Sequence, residues 1–248
     1  MLLDEIELHY EQYGRKGRKV ILLHGWGQNT EMMAFIGEFL KSHFIVYNLD
    51  MPGFGKTGLP PQPWDTNDYC LFLRHFCETK KIEDPIIIAH SFGCRIALRY
   101  AHQYPVHKMC LTGAAGIRDE RGLDYYARVY TYKLGKKILS LKPFEKYRDR
   151  LMKNAGSEDY RNADGVMRVT FVKVVNEDLK DLLPDIRTET LLVFGENDDA
   201  TPLEKGKMME KLMPDAALVI FENDDHYAYF HQAQRFCLVL DAFLRSDY

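Results

Sequence analysis

The sequence predicts an α/β fold: a mostly parallel central sheet with helices on both faces, interrupted by one helical insertion. Three observations lead there. Short apolar runs alternate with helix-like stretches along most of the 248 residues, a pattern that implies parallel strands joined by packed helices. The runs end in turns bearing glycine, serine or acids, which puts the polar chemistry beyond the carboxyl ends of the strands, where ligands bind in such sheets. One stretch, Gly116 to Arg187, breaks the alternation. The domain reading is therefore a core built from residues 1–115 and 188–248 with an insertion at 116–187.

The elements follow in order. Ile6 to Tyr13 reads as a first strand or hairpin, with Gly14 and Gly17 marking turns. Val20 to His24 is a strand, Thr30 to Lys41 a helix and Phe44 to Leu49 a strand. The turn Pro60 to Pro63 precedes a helix from Thr66 to Lys80, with Asp65 or Thr66 as its cap. The apolar run Pro85-Ile86-Ile87-Ile88 is a buried strand, followed by the helix-like Cys94 to Tyr100 and the strand Lys108 to Thr112. After the insertion come strands at Thr190 to Phe194 and Ala217 to Phe221, then a last helix from Tyr229 to Leu244.

Composition bounds the rest. The length suits a single domain that buries about three-quarters of its unfolded surface. A net charge of −3 gives no reason to expect nucleic-acid binding. No apolar run approaches the roughly 20 residues needed to span a bilayer, and Met1-Leu2-Leu3-Asp4-Glu5 has no signal-peptide character. Cys70, Cys77, Cys94, Cys110 and Cys237 are odd in number and form no CxxC pair. Reduced, mostly buried thiols in a cytoplasmic protein account for them. The nine histidines lack a metal-ligand spacing such as HExxH, and no cofactor or metal is expected.

Three segments carry the chemistry. Ala89-His90-Ser91-Phe92-Gly93 lies between a buried strand and a helix, the layout of a nucleophile elbow. The turn strains the serine and lifts its hydroxyl clear of the sheet, and small residues two before and two after let strand and helix approach. Gly93 meets that demand, and Ala89 adds only a methyl. The second segment, His24-Gly25-Trp26-Gly27-Gln28, ends an apolar strand in a glycine-rich turn. Such a turn aims the backbone N–H of Trp26 where the serine attacks, and Phe92 supplies the second oxyanion donor. In the third, Gly195-Glu196-Asn197-Asp198 and Glu222-Asn223-Asp224-Asp225-His226 each follow a strand. The chain order Ser91, Asp198, His226 is the one this architecture uses, whereas other serine hydrolases use different orders.

On these residues the chain is identified as similar to the α/β-hydrolase superfamily over nearly its whole length. Leu49-Asp50-Met51-Pro52-Gly53-Phe54-Gly55-Lys56-Thr57 resembles one of that family's loops. The His-Gly-Trp-Gly turn resembles that of esterases acting on pimeloyl-carrier-protein methyl esters. The resemblance implies a small serine hydrolase of carboxylesterase type, with 116–187 as a helical cap over the site. It implies a Ser-His-Asp triad and an acyl-enzyme, with a small-molecule ester as substrate. A serine at position 91 argues against the haloalkane and epoxide branches, which use aspartate there.

Plainer readings stand beside each assignment. Ser91 could be an ordinary helix N-cap, and His226 a surface histidine near a helix start. Asp198 is favoured over its neighbour Asp199 as the acid. Asp224 and Asp225 would stabilise the His226 imidazolium if they lie close to it. Asp50 is expected to organise a turn, and His24 and His90 to support theirs. Met32, Met33 and Trp64 could line an acyl pocket, but core packing is favoured. Arg128 to Lys153 holds nine Lys/Arg against two Asp/Glu, which suits an anionic ester or an acidic carrier protein. A solvated helix face is the favoured account of that run. Two competitors to ester hydrolysis remain: C–C bond hydrolysis or lyase chemistry with the same triad, and a small-molecule receptor of the same fold.

Overall fold

A computed structural model describes residues 6–118 and 158–248. Its sheet is ordered β1-β3-β2-β4-β5-β6-β7. The strands are β1 (Tyr10–Tyr13), β2 (Lys19–Leu23), β3 (Ile45–Leu49), β4 (Ile86–His90), β5 (Lys108–Thr112), β6 (Glu189–Gly195) and β7 (Ala216–Phe221). Only the edge pair β1–β3 is antiparallel; every other pairing is parallel. The register sets Leu22 of β2 beside Ile88 of β4, and Ile88 beside Cys110 of β5.

Central strands covered on both faces must be apolar throughout, and every residue of β4 and β5 is buried. Because side chains alternate across a strand, β2 feeds two cores. Ile21 and Leu23 face one, together with α2 (Thr66–Thr79), α3 (Phe92–Gln103) and Met209 of α6 (Leu203–Leu212). Val20 and Leu22 face the other, against α1 (Ala34–Leu40) and α8 (Ala233–Leu244). Met33 and Trp64 belong to these cores. Asp65 caps α2 through a capping box with Asp68. Cys70, Cys77, Cys94 and Cys110 are buried and Cys237 half-buried, all as free thiols. Burial pushes the Cys70 thiol up to about 12 and Cys77 to about 11, which keeps them unreactive.

Three elements differ from expectation. The first strand is confined to Tyr10–Tyr13. The helix expected over Thr30 to Lys41 opens as a separate 3-10 turn, Thr30–Met32. There the Asn29 side chain accepts from the Glu31 amide, and the Thr30 amide donates to Asp50 Oδ1. The last helix is broken at Gln232 (φ −105°, ψ 46°) into α7 (Ala228–His231) and α8; the Gln232 side chain donates to Asp224 Oδ2.

Between β5 and β6 the described chain contains α4 (Glu158–Asn162) and α5 (Gly165–Asn176). α5 turns Met167, Thr170, Phe171 and Val174 inward. The Trp64 amide donates to Thr170 Oγ1, and Lys173 Nζ donates to the Pro63 carbonyl. Beyond α5, the Glu177 carboxylate pairs with Arg99 of α3 and accepts from the Thr66 hydroxyl. The basic run Arg128 to Lys153, in the middle of the expected 116–187 insertion, lies outside the described residues.

Candidate active site

Ser91 joins β4 to α3 with φ 49° and ψ −106°. A non-glycine residue at positive φ is strained and persists only where its surroundings hold it. Here the Ser91 amide donates to the Thr112 carbonyl of β5, and the Cys94 amide donates to the Ser91 carbonyl. Gly93 permits the tight crossing: a Cβ there would sit 2.4 Å from the Leu23 carbonyl oxygen of β2. The hydroxyl makes no capping bond, so the plain N-cap reading fails. It instead donates to His226 Nε2 at 2.9 Å.

His226 lies beyond β7 on the same edge of the sheet, and its Nδ1–H donates to Asp198 Oδ2 at 2.8 Å. Asp198, beyond β6, is buried, whereas Asp199 is exposed. Its other partners fix the carboxylate: Oδ1 accepts from the Ala200 and Thr201 amides, and Oδ2 from Thr201 Oγ1 at 2.7 Å. Burial opposes ionisation of Asp198, but the hydrogen bonds and charge of His226 and the bonds from Thr201 outweigh it and hold the carboxyl below its ordinary range. Gly113 (φ +52°) backs the histidine ring; a Cβ there would lie 3.0 Å from its Nδ1 and Cε1.

The turn after β2 is shaped by Gln28, whose Oε1 accepts from the Gly25 amide at 2.9 Å. Among the described residues, neither the Trp26 nor the Phe92 main-chain N–H donates to an acceptor. Both residues line the same cavity as Ser91 and His226, which has a volume of about 760 Å³. The Trp26 ring packs edge-on against Phe92 and against Phe171 of α5. Phe171, Val174 and Ile117 complete an apolar wall.

His24 and His90 are buried supports, as expected. His24 Nδ1–H donates to the Gly25 carbonyl and Nε2 accepts from the Met51 amide, and burial lowers its pKa. His90 Nδ1–H donates to the Thr112 carbonyl, and its ring lies tilted against that of His226, 4.7 Å away. Asp50 binds the Thr30 and Lys56 amides and His9, a turn organiser. Met33 and Trp64 are fully buried in the cores and do not line the cavity.

The condition set for Asp224 and Asp225 is not met. Asp224 and Asp225 do not turn towards the His226 ring. Asp224 pairs with His231 Nδ1 at 2.8 Å and with Gln232, while Asp225 Oδ1 accepts from the Tyr227 amide. The break before α8 carries these partners to the acids. Asp224, Asp225 and His231 also bring ligand atoms within 4.8 Å of one another, but acids already paired on an exposed rim are common without an ion. Thr201, Gln28 and Gly113 were missed in the sequence. The spacing Asp198-x-x-Thr201, which lets a carboxylate accept from amides two and three residues on, was the one readable signal.

The chain resembles proteins of known structure and name. It is 24% identical over 255 residues to pimeloyl-[acyl-carrier protein] methyl ester esterase of Legionella pneumophila (strain Corby), covering 97% of this chain and 100% of that protein. It is 24% identical over 259 residues to 2-hydroxy-6-oxononadienedioate/2-hydroxy-6-oxononatrienedioate hydrolase of Comamonas testosteroni, covering 94% and 90%. The solved esterase EaEST from Exiguobacterium antarcticum superposes with a TM-score of 0.74 at 22% identity, covering 98% of this chain and 97% of that one. A family model for the alpha/beta hydrolase family matches residues 20–237, most of the chain. With the parallel sheet and its elbow, this makes the protein a member of the alpha/beta hydrolase family.

Proposed function

We propose that this protein is a serine hydrolase that cleaves a small-molecule ester through an acyl-enzyme. The observation that carries the reading is the unbroken relay from Ser91 Oγ through His226 to Asp198, at 2.9 and 2.8 Å, on a strained elbow facing a cavity. Ser91 Oγ attacks the ester carbonyl while His226 Nε2 takes its proton. Asp198 holds the Nδ1–H tautomer and stabilises the imidazolium. The Trp26 and Phe92 N–H groups bind the oxyanion, a contribution of about 100- to 1,000-fold per donor. His226 passes the proton to the departing alcohol, then takes one from water as it attacks the acyl-enzyme, which releases the acid and restores Ser91. Phe171 and Val174 of α5 act as part of a cap that shields these steps from solvent.

The identity with the Legionella esterase supports an ester, including one carried on an acyl-carrier protein. The equal identity with the Comamonas hydrolase supports a second reading, C–C bond hydrolysis by the same residues. Hydrolysis of p-nitrophenyl esters from acetate to octanoate tests the first. Turnover by the wild type that vanishes in Ser91→Ala establishes the serine esterase, and the optimum chain length measures the depth of the cavity. A wild type no faster than the variant overturns the ester reading and moves the C–C reading ahead.

A further inference from the structure

We infer that the cavity beside Ser91 holds an anion subsite centred on the Arg95 guanidinium, so that the preferred substrate carries a carboxylate a few bonds from its scissile carbonyl. The inference deepens the hydrolase reading and takes from it the position of the reacting carbonyl. Arg95 follows Ser91 by one turn of α3, a spacing that stacks side chains on one helix face, and both line the cavity. Arg95 is only 7% exposed. Its planar fork of N–H donors has a single hydrogen bond among the described residues, from Nη1 to the Glu177 carbonyl at 3.0 Å.

The acids nearby do not fill that fork. The Glu177 carboxylate is engaged by Arg99 and the Thr66 hydroxyl. The Asp178 carboxylate accepts from the Arg118 and Lys180 amides. Arg118 and Lys205 line the same cavity, with Asp159 as the one carboxylate among the described residues of its wall. Arg118 Nη1 bonds the Asn176 carbonyl and Lys205 Nζ the Ile117 carbonyl, which places both cations at the cavity wall. The donors left over are not enclosed in the core, and Arg95 lines the cavity. A carbonyl anchor for Glu177 needs only one of those donors. A substrate carboxylate satisfies the rest bidentately, and the apolar wall of Phe171, Val174 and Ile117 strengthens the attraction by excluding water.

The test is calorimetric titration of succinate, glutarate and adipate into the wild type, with the matching neutral diamides as controls. At least one dicarboxylate is expected to bind in clear preference to its diamide, with affinity falling as salt rises. Arg95→Met should weaken that affinity by about 10- to 100-fold, the range for a charged hydrogen bond. Arg95→Lys, which keeps the charge but not the fork, should fall between. The ratio of kcat/KM for a p-nitrophenyl half-ester of the preferred acid to that for its neutral methyl diester should drop by the same factor in Arg95→Met. Equal binding of acids and diamides, or an affinity unchanged in Arg95→Met, overturns the proposal. If Arg95→Met fails to fold, the wild-type comparison and Arg95→Lys still decide. Dicarboxylate binding without any ester hydrolysis would keep the subsite and overturn the ester reading instead.

Discussion

Two histidine–aspartate pairs sit five residues apart on the loop and helix that follow β7. His226 Nδ1 meets Asp198 at 2.8 Å, and His231 Nδ1 meets Asp224 at 2.8 Å. By distance alone they are the same interaction. The surroundings differ: the Asp198 side chain is fully buried and His226 is 14% exposed, whereas Asp224 is 11% and His231 49% exposed. The second ring nitrogen of His226 faces a strained serine hydroxyl. His231 instead shares its acids with Gln232 and the rim of the fold. On the proposed reading, a base is made by what its other nitrogen faces and by the dryness of its acid; a short bond to a carboxylate is not sufficient.

The two histidines should differ most. Ser91→Ala or His226→Ala should lower kcat by on the order of 10⁴-fold or more, while His231→Ala should stay within about twofold, as a solvent-exposed pair contributes little. Steady-state kinetics on one activated ester reads both, and a large loss in His231→Ala would erase the distinction. Next come the acids: Asp198→Asn should cost about 10⁴-fold by imposing the wrong tautomer, and Asp224→Asn should leave kcat nearly unchanged.

A smaller effect tests position alone. Gly113→Ala puts a methyl against the His226 ring and places alanine at φ +52°. Displacing the base by a fraction of an ångström to an ångström should reduce kcat by about 100-fold while circular dichroism reports an intact fold. Undiminished turnover would show that the ring has slack.

The smallest effect belongs to the outer pair and appears as stability. The hydrogen bond to Asp224 raises the His231 pKa. Its contribution is complete below the ordinary imidazole value of about 6.5 and is lost as pH rises through the raised value. Asp224 lies below its ordinary range, because bonds from His231 and Gln232 outweigh burial. Its contribution is present above about 3.9 and fades as pH falls through the lowered value. The Tm difference between wild type and Asp224→Asn should therefore be largest between about pH 4 and 6.5, and shrink above that window. The effect should stay under about 1 kcal/mol, since the pair is largely solvent-screened. A difference that grows towards pH 9 would contradict the assignment.

Much of this was legible in the chain. The apolar runs that became β2, β4, β5 and β6 announce buried parallel strands because such strands need apolar residues on both faces. The elbow was legible because a strained serine between strand and helix demands small neighbours, and Gly93 meets the Leu23 backbone. The break at Gln232 was not, because it coincides with a side-chain bond to Asp224 eight residues away. Nor was Gly113 as a support of His226, since it acts from a neighbouring strand end, whereas Thr201 left a local trace in its spacing from Asp198.

The chain alone carries the order of strands and helices and the placement of Ser91, Asp198 and His226 after separate strands. These depend on periodicity and turn chemistry within a few residues, which the chain states locally. Three-dimensional packing was needed to bring Asp198 rather than Asp199 to His226, to draw Asp224 and Asp225 away, and to leave Arg95 at the cavity with one hydrogen bond among the described residues. A side chain's direction and its solvation depend on which distant elements close over it. That information exists only once β4, β6, β7 and α5 have packed together.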